Sequence, residues 1–319
     1  MLSHAPTRQV RDWHSDSERW NDYRPRPGDI VIGTAAKVGT TWTQQIVNLL
    51  VFQSPRARPL WALSPWLDSR FMAPMEVLTP MLEAQTHRRF IKTHLPMDAL
   101  PLHDEVRYIH TARDGRDAAM SYFNHLHSHT DEAWGRFDAV GLGDPTIGRP
   151  LPRPAATAAE FFHHWVRAPE AHMADWFFML EDTYWRRRGE GNVLLVHFND
   201  LSADLDGEMR RISAFLDIPV DEAIWPSLVE AATFGSMKRD GDALLAEMQH
   251  GFKGGHRSFL HRGDNGRWRG VVEAADLALY QQKMAAALSP GLIAWLEHGR
   301  AGAGDPRVSA DRAPSRRTV

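Results

Sequence analysis

The sequence predicts an α/β fold in a single domain: a parallel sheet flanked by helices on both faces. Three observations predict it. Short, near-continuous apolar runs such as "DIVIGTA", "VRYIHTA" and "NVLLVHF" alternate with segments of helical periodicity, the pattern of strands buried on both faces and joined by helical crossovers. The first run is followed by a glycine-containing loop and then a helix, the strand–loop–helix unit of a P-loop-like sheet. No linker is long enough to divide the 319 residues, and no internal repeat is visible.

Residues 1–28 are polar, end in "RPRPG" and read as an N-terminal arm. Asp29–Ala35 is the first strand and Thr40–Phe52 a helix. Arg56–Pro80 is broken by proline and rich in Trp, Phe and Met, so it reads as irregular cover with short helices. Its Trp61, Trp66, Phe71 and Met72 suit either core packing or the wall of an apolar pocket. Arg88–Pro96 is a second strand, stopped by Pro96, and Val106–Ala112 a third, followed by the helix "RDGRDAAMSYFNHLH". Gly141–Pro154 reads as a loop. Ala155–Gly189 is helical in two pieces around Pro169, and Arg186-Arg187-Arg188 closes it where cations suit the negative helix end. Asn192–Phe198 is the fourth strand. Helices are expected at Asp204–Leu216, Asp221–Ala232, Ala274–Leu288 and Pro290–His298, with a mobile loop over Gly241–Gly266 and a frayed tail from Gly299. The domain itself is expected to run over 29–298.

Bulk properties exclude several functions. Net charge is −3 and the isoelectric point about 6.6, so no global basic field argues for nucleic acid or a membrane surface. There are no cysteines, which removes disulfides, zinc–thiolate sites and thiol catalysis. The start has no apolar core of signal-peptide length, and no run reaches the roughly 18 apolar residues of a membrane span. The expectation is a soluble cytoplasmic protein.

Four clusters carry chemistry. In "GTAAKVGTTW", loop N–H groups and the helix N-terminus suit an anion, Gly39 permits close approach, Thr40 and Thr41 add hydroxyls, and Lys37 adds charge. The lysine precedes Gly39, whereas an ATP-binding loop has it after the second glycine. In "IKTHLP", Lys92 and His94 are two residues apart, so both face one side at the carboxyl end of a strand, where α/β sheets bind ligands. Arg113 ends the third strand, with Ser121 eight residues on, and suits a bidentate phosphate contact. "FLHRGDNGRWRG" supplies an Arg-Gly turn next to the expected loop. Each cluster alone has an ordinary reading: a tight turn, a structural histidine, a surface ion pair, a basic loop.

Together, and in this order from about Asp29 to Trp268, they resemble the sulfotransferase family that uses 3′-phosphoadenosine 5′-phosphosulfate (PAPS). The first loop is similar to that family's Lys-x-Gly-Thr-Thr-Trp motif and "KTHLP" to its catalytic histidine segment. Arg113 with Ser121 and the turn Arg262-Gly263 resemble its 3′-phosphate site, while "VLLVHFNDL" and "ATFGSMK" match further segments. The resemblance implies that His94 is the general base, near its ordinary pKa of about 6.5. Lys37 would neutralise the oxygen bridging to the leaving phosphate and Lys92 would support the developing charge. Val38, Gly39, Thr40 and Thr41 would surround the 5′-phosphate. Trp42, Phe234, Phe198 and Thr233 would lie at the adenine, and Arg113, Ser121, His261, Arg262 and Gly263 at the 3′-phosphate. It also implies that no metal is required.

Departures are visible. Val38 stands where the family often has serine, Phe198 aligns with a tyrosine, and His261-Arg262-Gly263 replaces Arg-Lys-Gly. The family's C-terminal dimer pattern is not evident in "RWRGVVEAADLA", so no homodimer is assigned. His125, His127 and His129 in "HLHSH" fall at an expected helix end, which does not put all three on one side for a metal; His163-His164 read as packing. A P-loop NTPase would need the lysine after Gly39 and a Mg²⁺-holding carboxylate where Arg113 stands. A nucleotide-binding scaffold would not need Lys37, Lys92 and His94 together.

Overall fold

The computed structural model describes residues 1–140, 144, 146–148, 150–309 and 311, so the expected loop over 141–154 lies partly outside the described residues. The chain forms β1 (Leu2–His4), β2 (Ile30–Thr34), β3 (Phe90–Thr93), β4 (Leu102–His103), β5 (Arg107–Ala112) and β6 (Val193–His197). β3, β2, β5 and β6 make one parallel sheet in that order, with Val31 opposite Ile91 and Tyr108, and Ile109 opposite Leu194. Successive residues alternate between its faces: Ile30, Ile32, Ile109 and Val196 pack in one apolar cluster, Val31, Ile91, Tyr108 and Leu195 in the other. Helices cover both faces, as near-continuous apolar strands require.

From β2 the chain crosses to β3 on one side and afterwards to β5 on the other. The crevice beyond the carboxyl ends of these strands is where an open α/β sheet binds ligands. Two helices start there. Thr40–Phe52 begins directly after Gly39 without a side-chain cap, so its first N–H groups stay open. Gly115–Ser128 is capped by Asp114, whose carboxylate accepts from the Arg116 N–H.

The helical region after Pro154 forms two helices, Ala158–Arg167 and Ala174–Trp185, the first opened by a Thr157–Glu160 capping box. Leu205–Phe215 and Trp225–Ala232 follow β6 as expected. Two segments differ from expectation. The loop over 241–266 contains three one-turn helices, Gly241–Leu244, Met248–Gly251 and His256–Phe259. Its apolar residues lack a single period because Leu244, Leu245 and Leu260 pack on Leu60 and Met237 from separate turns. The tail expected to begin at Gly299 continues as helix to Ala303, with a kink at Gly299, followed by a 3₁₀ turn at Pro306–Val308. Arg188 fastens it by donating to the carbonyls of Pro306, Ser309 and Asp311. The N-terminal arm also packs inward: β1 pairs antiparallel with β4, and Val10, Trp20 and Tyr23 are core residues. No described helix is long and apolar enough to cross a membrane.

Candidate active site

A cavity of about 700 Å³ opens at the carboxyl end of the sheet. Of the residues singled out in the sequence, Lys37, Gly39, Thr40, Thr41, Trp42, Lys92, His94, Arg113, Ser121, Phe198, Phe234, His261, Arg262 and Gly263 all line it. So do Trp61, Trp66, Phe71 and Met72. Two do not line it. Val38 is wholly buried among core side chains, because the loop turns it under the sheet end while Lys37 turns out. Thr233 uses its hydroxyl to cap the helix Phe234–Arg239, donating to the Glu230 carbonyl (2.9 Å) and accepting from the Ser236 N–H (3.2 Å). Its neighbour Phe234 reaches the wall instead.

Backbone geometry sets the loop. Lys37 has φ +68° and Gly39 φ +120°, both in the region that L side chains rarely adopt. A Cβ on Gly39 would lie 3.3 Å from both Phe198 and Thr111, tight contacts that add to the strain any other residue would meet at this positive φ. Hydroxyl pairs brace the loop: Thr34 with Thr40 and Thr43 with Thr111, each 2.6 Å apart.

His94 has a defined polarity. Its Nδ1 lies 2.7 Å from the Thr34 carbonyl oxygen, which can only accept. The neutral ring therefore carries its proton on Nδ1 and presents a lone pair at Nε2. Burial, followed by the nearby Lys92 charge, pushes the His94 pKa well below the ordinary imidazole value. The ring stands edge-on to Trp66 at 4.8 Å, and the Lys92 amine sits over the same indole at 4.1 Å. Lys37 is held by the Nδ1 of His125 (3.3 Å) and the face of Phe259 (4.6 Å). Burial first, then Lys92, Arg113 and Arg267, lowers its pKa to about 7; burial likewise lowers Lys92 to about 8, against opposing pulls from Asp68 and Glu247.

Across the cavity, Arg113 is anchored by neutral oxygens alone. Nε donates to the Asn265 amide oxygen (2.7 Å) and Nη2 to the Asp264 carbonyl (2.7 Å), while the guanidinium lies over Phe198 at 4.1 Å. Gly263 has φ +74°, and a Cβ there would meet the Phe234 ring at 2.9 Å. Among the described residues, Lys37, Arg113 and Arg262 have no carboxylate within ion-pair distance. Buried Lys37 and Arg113 and exposed Arg262, none of them in a carboxylate ion pair, beside an open helix N-terminus, fit a ligand carrying more than one anionic group.

Several wall residues were not assigned to the site from the sequence, among them His14, Arg267, Glu247 and His129, the last weighed there only for a metal and set aside. His14 arrives from the N-terminal arm, Arg267 lies beyond the Arg-Gly turn, and Glu247 comes from the segment expected to be mobile. His129 sits one turn after His125, with the two rings 4.7 Å apart. Their i, i+4 spacing was a usable signal, whereas nothing in the order of residues links His14 to the strand ends. His127 faces elsewhere and bonds the Ala155 carbonyl at 2.8 Å.

A family model described as the sulfotransferase domain matches residues 27–289. A protein named glycolipid sulfotransferase from Mycobacterium bovis is 34% identical over 314 residues, covering 92% of this chain and 94% of that protein. Mouse sulfotransferase 1B1 is 25% identical, covering 84% and 86%. Among solved structures, retinol dehydratase in complex with androsterone and the inactive cofactor PAP superposes with a TM-score of 0.65 at 22% identity, over 86% of this chain and 84% of that one. A mouse sulfotransferase complexed with PAP gives 0.63 at 16% identity, over 86% and 89%.

Proposed function

Because the chain belongs to the sulfotransferase domain family, we propose that it transfers a sulfuryl group from PAPS to a hydroxyl, or an amine, of a small acceptor with an apolar body. One observation carries the reading: the free Nε2 lone pair of His94 and the desolvated amines of Lys37 and Lys92 line the same cavity. PAPS supplies an activated sulfuryl group whose leaving side is a phosphate. The chain's residues do the rest.

His94 takes the acceptor's proton at Nε2, since the Thr34 carbonyl fixes its tautomer. Lys37 meets the negative charge that builds on the leaving oxygen, and Lys92 supports it. Both act where water is largely excluded, which strengthens such electrostatic contacts. Gly39, Thr40 and Thr41 with the open helix N-terminus hold the 5′-phosphate; Arg113, Ser121, His261, Arg262 and Gly263 hold the 3′-phosphate; Trp42, Phe198 and Phe234 flank the base. Trp61, Trp66, Phe71 and Met72 shape the acceptor half. A sulfuryl group carries less charge than a terminal phosphate, so cationic side chains suffice and no metal clamp is needed.

The test is a screen of phenols, alcohols, amines and sugars, a glycolipid included, with radiolabelled PAPS and EDTA present. Transfer to at least one acceptor is expected. His94→Ala should lower turnover by roughly 100- to 10,000-fold while 3′-phosphoadenosine 5′-phosphate (PAP) still binds. Near-normal turnover would remove His94 from the mechanism, and inactivation by EDTA would reopen the question of a metal.

A further inference from the structure

Four histidines line the acceptor-side half of the cavity, and the mechanism above uses only one of them for chemistry. His14 comes from the N-terminal arm, His94 from the end of β3, His125 from the helix Gly115–Ser128 and His129 from its C-cap. Each ring engages the protein through Nδ1. His14 meets Ser15 Oγ at 3.2 Å, His94 the Thr34 carbonyl at 2.7 Å, His125 the Lys37 amine at 3.3 Å and His129 the Gly251 carbonyl at 3.4 Å. Among the described residues, none has a hydrogen-bond partner at Nε2.

The Nδ1 partners decide what each Nε2 does. Carbonyl oxygens only accept, so His94 and His129 hold their protons on Nδ1 and present acceptor lone pairs. When Lys37 is an ammonium it only donates, so His125 then accepts at Nδ1 and presents an Nε2–H donor. Burial is the largest influence on all four rings and lowers their pKa values, which favours neutral hydrogen-bonding groups over cations. Aromatic faces stand between them. Trp66 packs against both His14 (4.9 Å) and His94 (4.8 Å), and Phe252 against both His125 (5.0 Å) and His129 (4.5 Å).

A ligand with one hydroxyl would engage His94 and cover the other ring nitrogens without bonding them, which is unfavourable for buried polar atoms. A ring bearing several hydroxyls, each both donor and acceptor, would satisfy the set, and its C–H faces would rest on the aromatic rings. Resting on the sulfotransfer reading above, we infer that the acceptor presents a polyhydroxylated ring, a saccharide headgroup. One hydroxyl meets His94, His14 and His129 read others, and an apolar tail follows the aromatic wall. His14, His125 and His129 are then specificity residues of the acceptor site.

Hexyl β-glucoside and hexylcyclohexanol share ring size and tail and differ in hydroxyl number, so they are the probes. The wild-type enzyme should prefer the glucoside by roughly tenfold or more in kcat/KM. A His14→Phe/His129→Phe double variant should bring that ratio to about one, with folding followed by the rise in Tm on adding PAP. Equal or better use of hexylcyclohexanol by the wild type would overturn the inference, as would a variant that keeps the wild-type ratio. Should neither compound be sulfated, the sulfotransfer reading is what suffers. Equilibrium binding of the two compounds to the PAP-saturated protein, wild type and variant, then decides the acceptor inference by the same ratio. If the double variant does not fold, His129→Phe alone is measured, and an unchanged ratio overturns the role of His129.

Discussion

Lys37 is the residue at which chemistry and strain meet. Its backbone has φ +68°, its amine touches His125 and Phe259, and no carboxylate pairs with it among the described residues. With a pKa of about 7 it is only partly charged at neutral pH. A bound polyanion favours the ammonium form, so above about pH 7 binding must take up a proton. PAP affinity should then fall as pH rises from about 7 to 9, by up to tenfold per unit for this one group. Calorimetry in buffers of different ionisation enthalpy would register the uptake, and a flat affinity across that range would show that Lys37 is already fully charged. His94 titrates in the opposite sense of concern: its pKa lies well below the ordinary value, so the free base persists into mild acid. The acid limb of kcat/KM should therefore fall below about pH 6.5, the unperturbed imidazole value.

At the scale of elements, β2 is fixed at its carboxyl end by what lies beneath it. The Gly33 carbonyl accepts from His110 Nδ1 (2.8 Å), and His110 Nε2 is paired with the buried Glu181 (2.8 Å). Tyr184 stacks on His110 at 4.0 Å and donates to the Leu95 carbonyl at 3.1 Å. A Cβ on Gly33 would come within 1.9 Å of the tyrosine oxygen, so this glycine is required by closeness of packing and not by φ. Gly33→Ala should cost about 1–3 kcal/mol in denaturant unfolding. Adding Tyr184→Phe, which deletes the nearest atom, should recover part of that loss; no recovery would mean that the strain lies elsewhere.

Over the whole molecule, a buried ion pair ties the N-terminal arm to the amino end of the sheet. Arg89 Nε donates to Asp29 Oδ1 at 2.9 Å, both residues are almost wholly enclosed, and the Tyr23 hydroxyl and Arg26 N–H also donate to Asp29. Asp29→Ala removes the buried partner and leaves the guanidinium only its contact with the more exposed Glu83 (3.1 Å), and should cost up to about 3 kcal/mol. Its effect on the site is indirect, through the arm that brings His14 to the cavity. The same scale governs nucleotide choice. Lys37 and Gly39 to Trp42, Arg113 and Ser121, and His261 to Gly263 are far apart in sequence yet line one cavity. PAP should raise Tm well above what ATP with Mg²⁺ achieves, and equal shifts would favour an NTPase-like site instead.

The sequence by itself determined the sheet, its helices and most of the residues proposed for the nucleotide half of the site, because those signals are local. A strand, its loop and the next helix are contiguous, so "GTAAKVGTTW", "KTHLP" and Arg113 with Ser121 declare their places at the strand ends. Side-chain direction within an irregular loop is not local, which is why Val38 and Thr233 could be named for the site yet do not line it. Beyond the wall of Trp61, Trp66, Phe71 and Met72, tertiary structure decided the rest of the proposed acceptor half. His14, Glu247, Phe252 and Phe259 reach it from an N-terminal arm and from turns without a common period. Such residues meet only when separate packing contacts close around the cavity, and no repeat or spacing along the chain encodes that meeting.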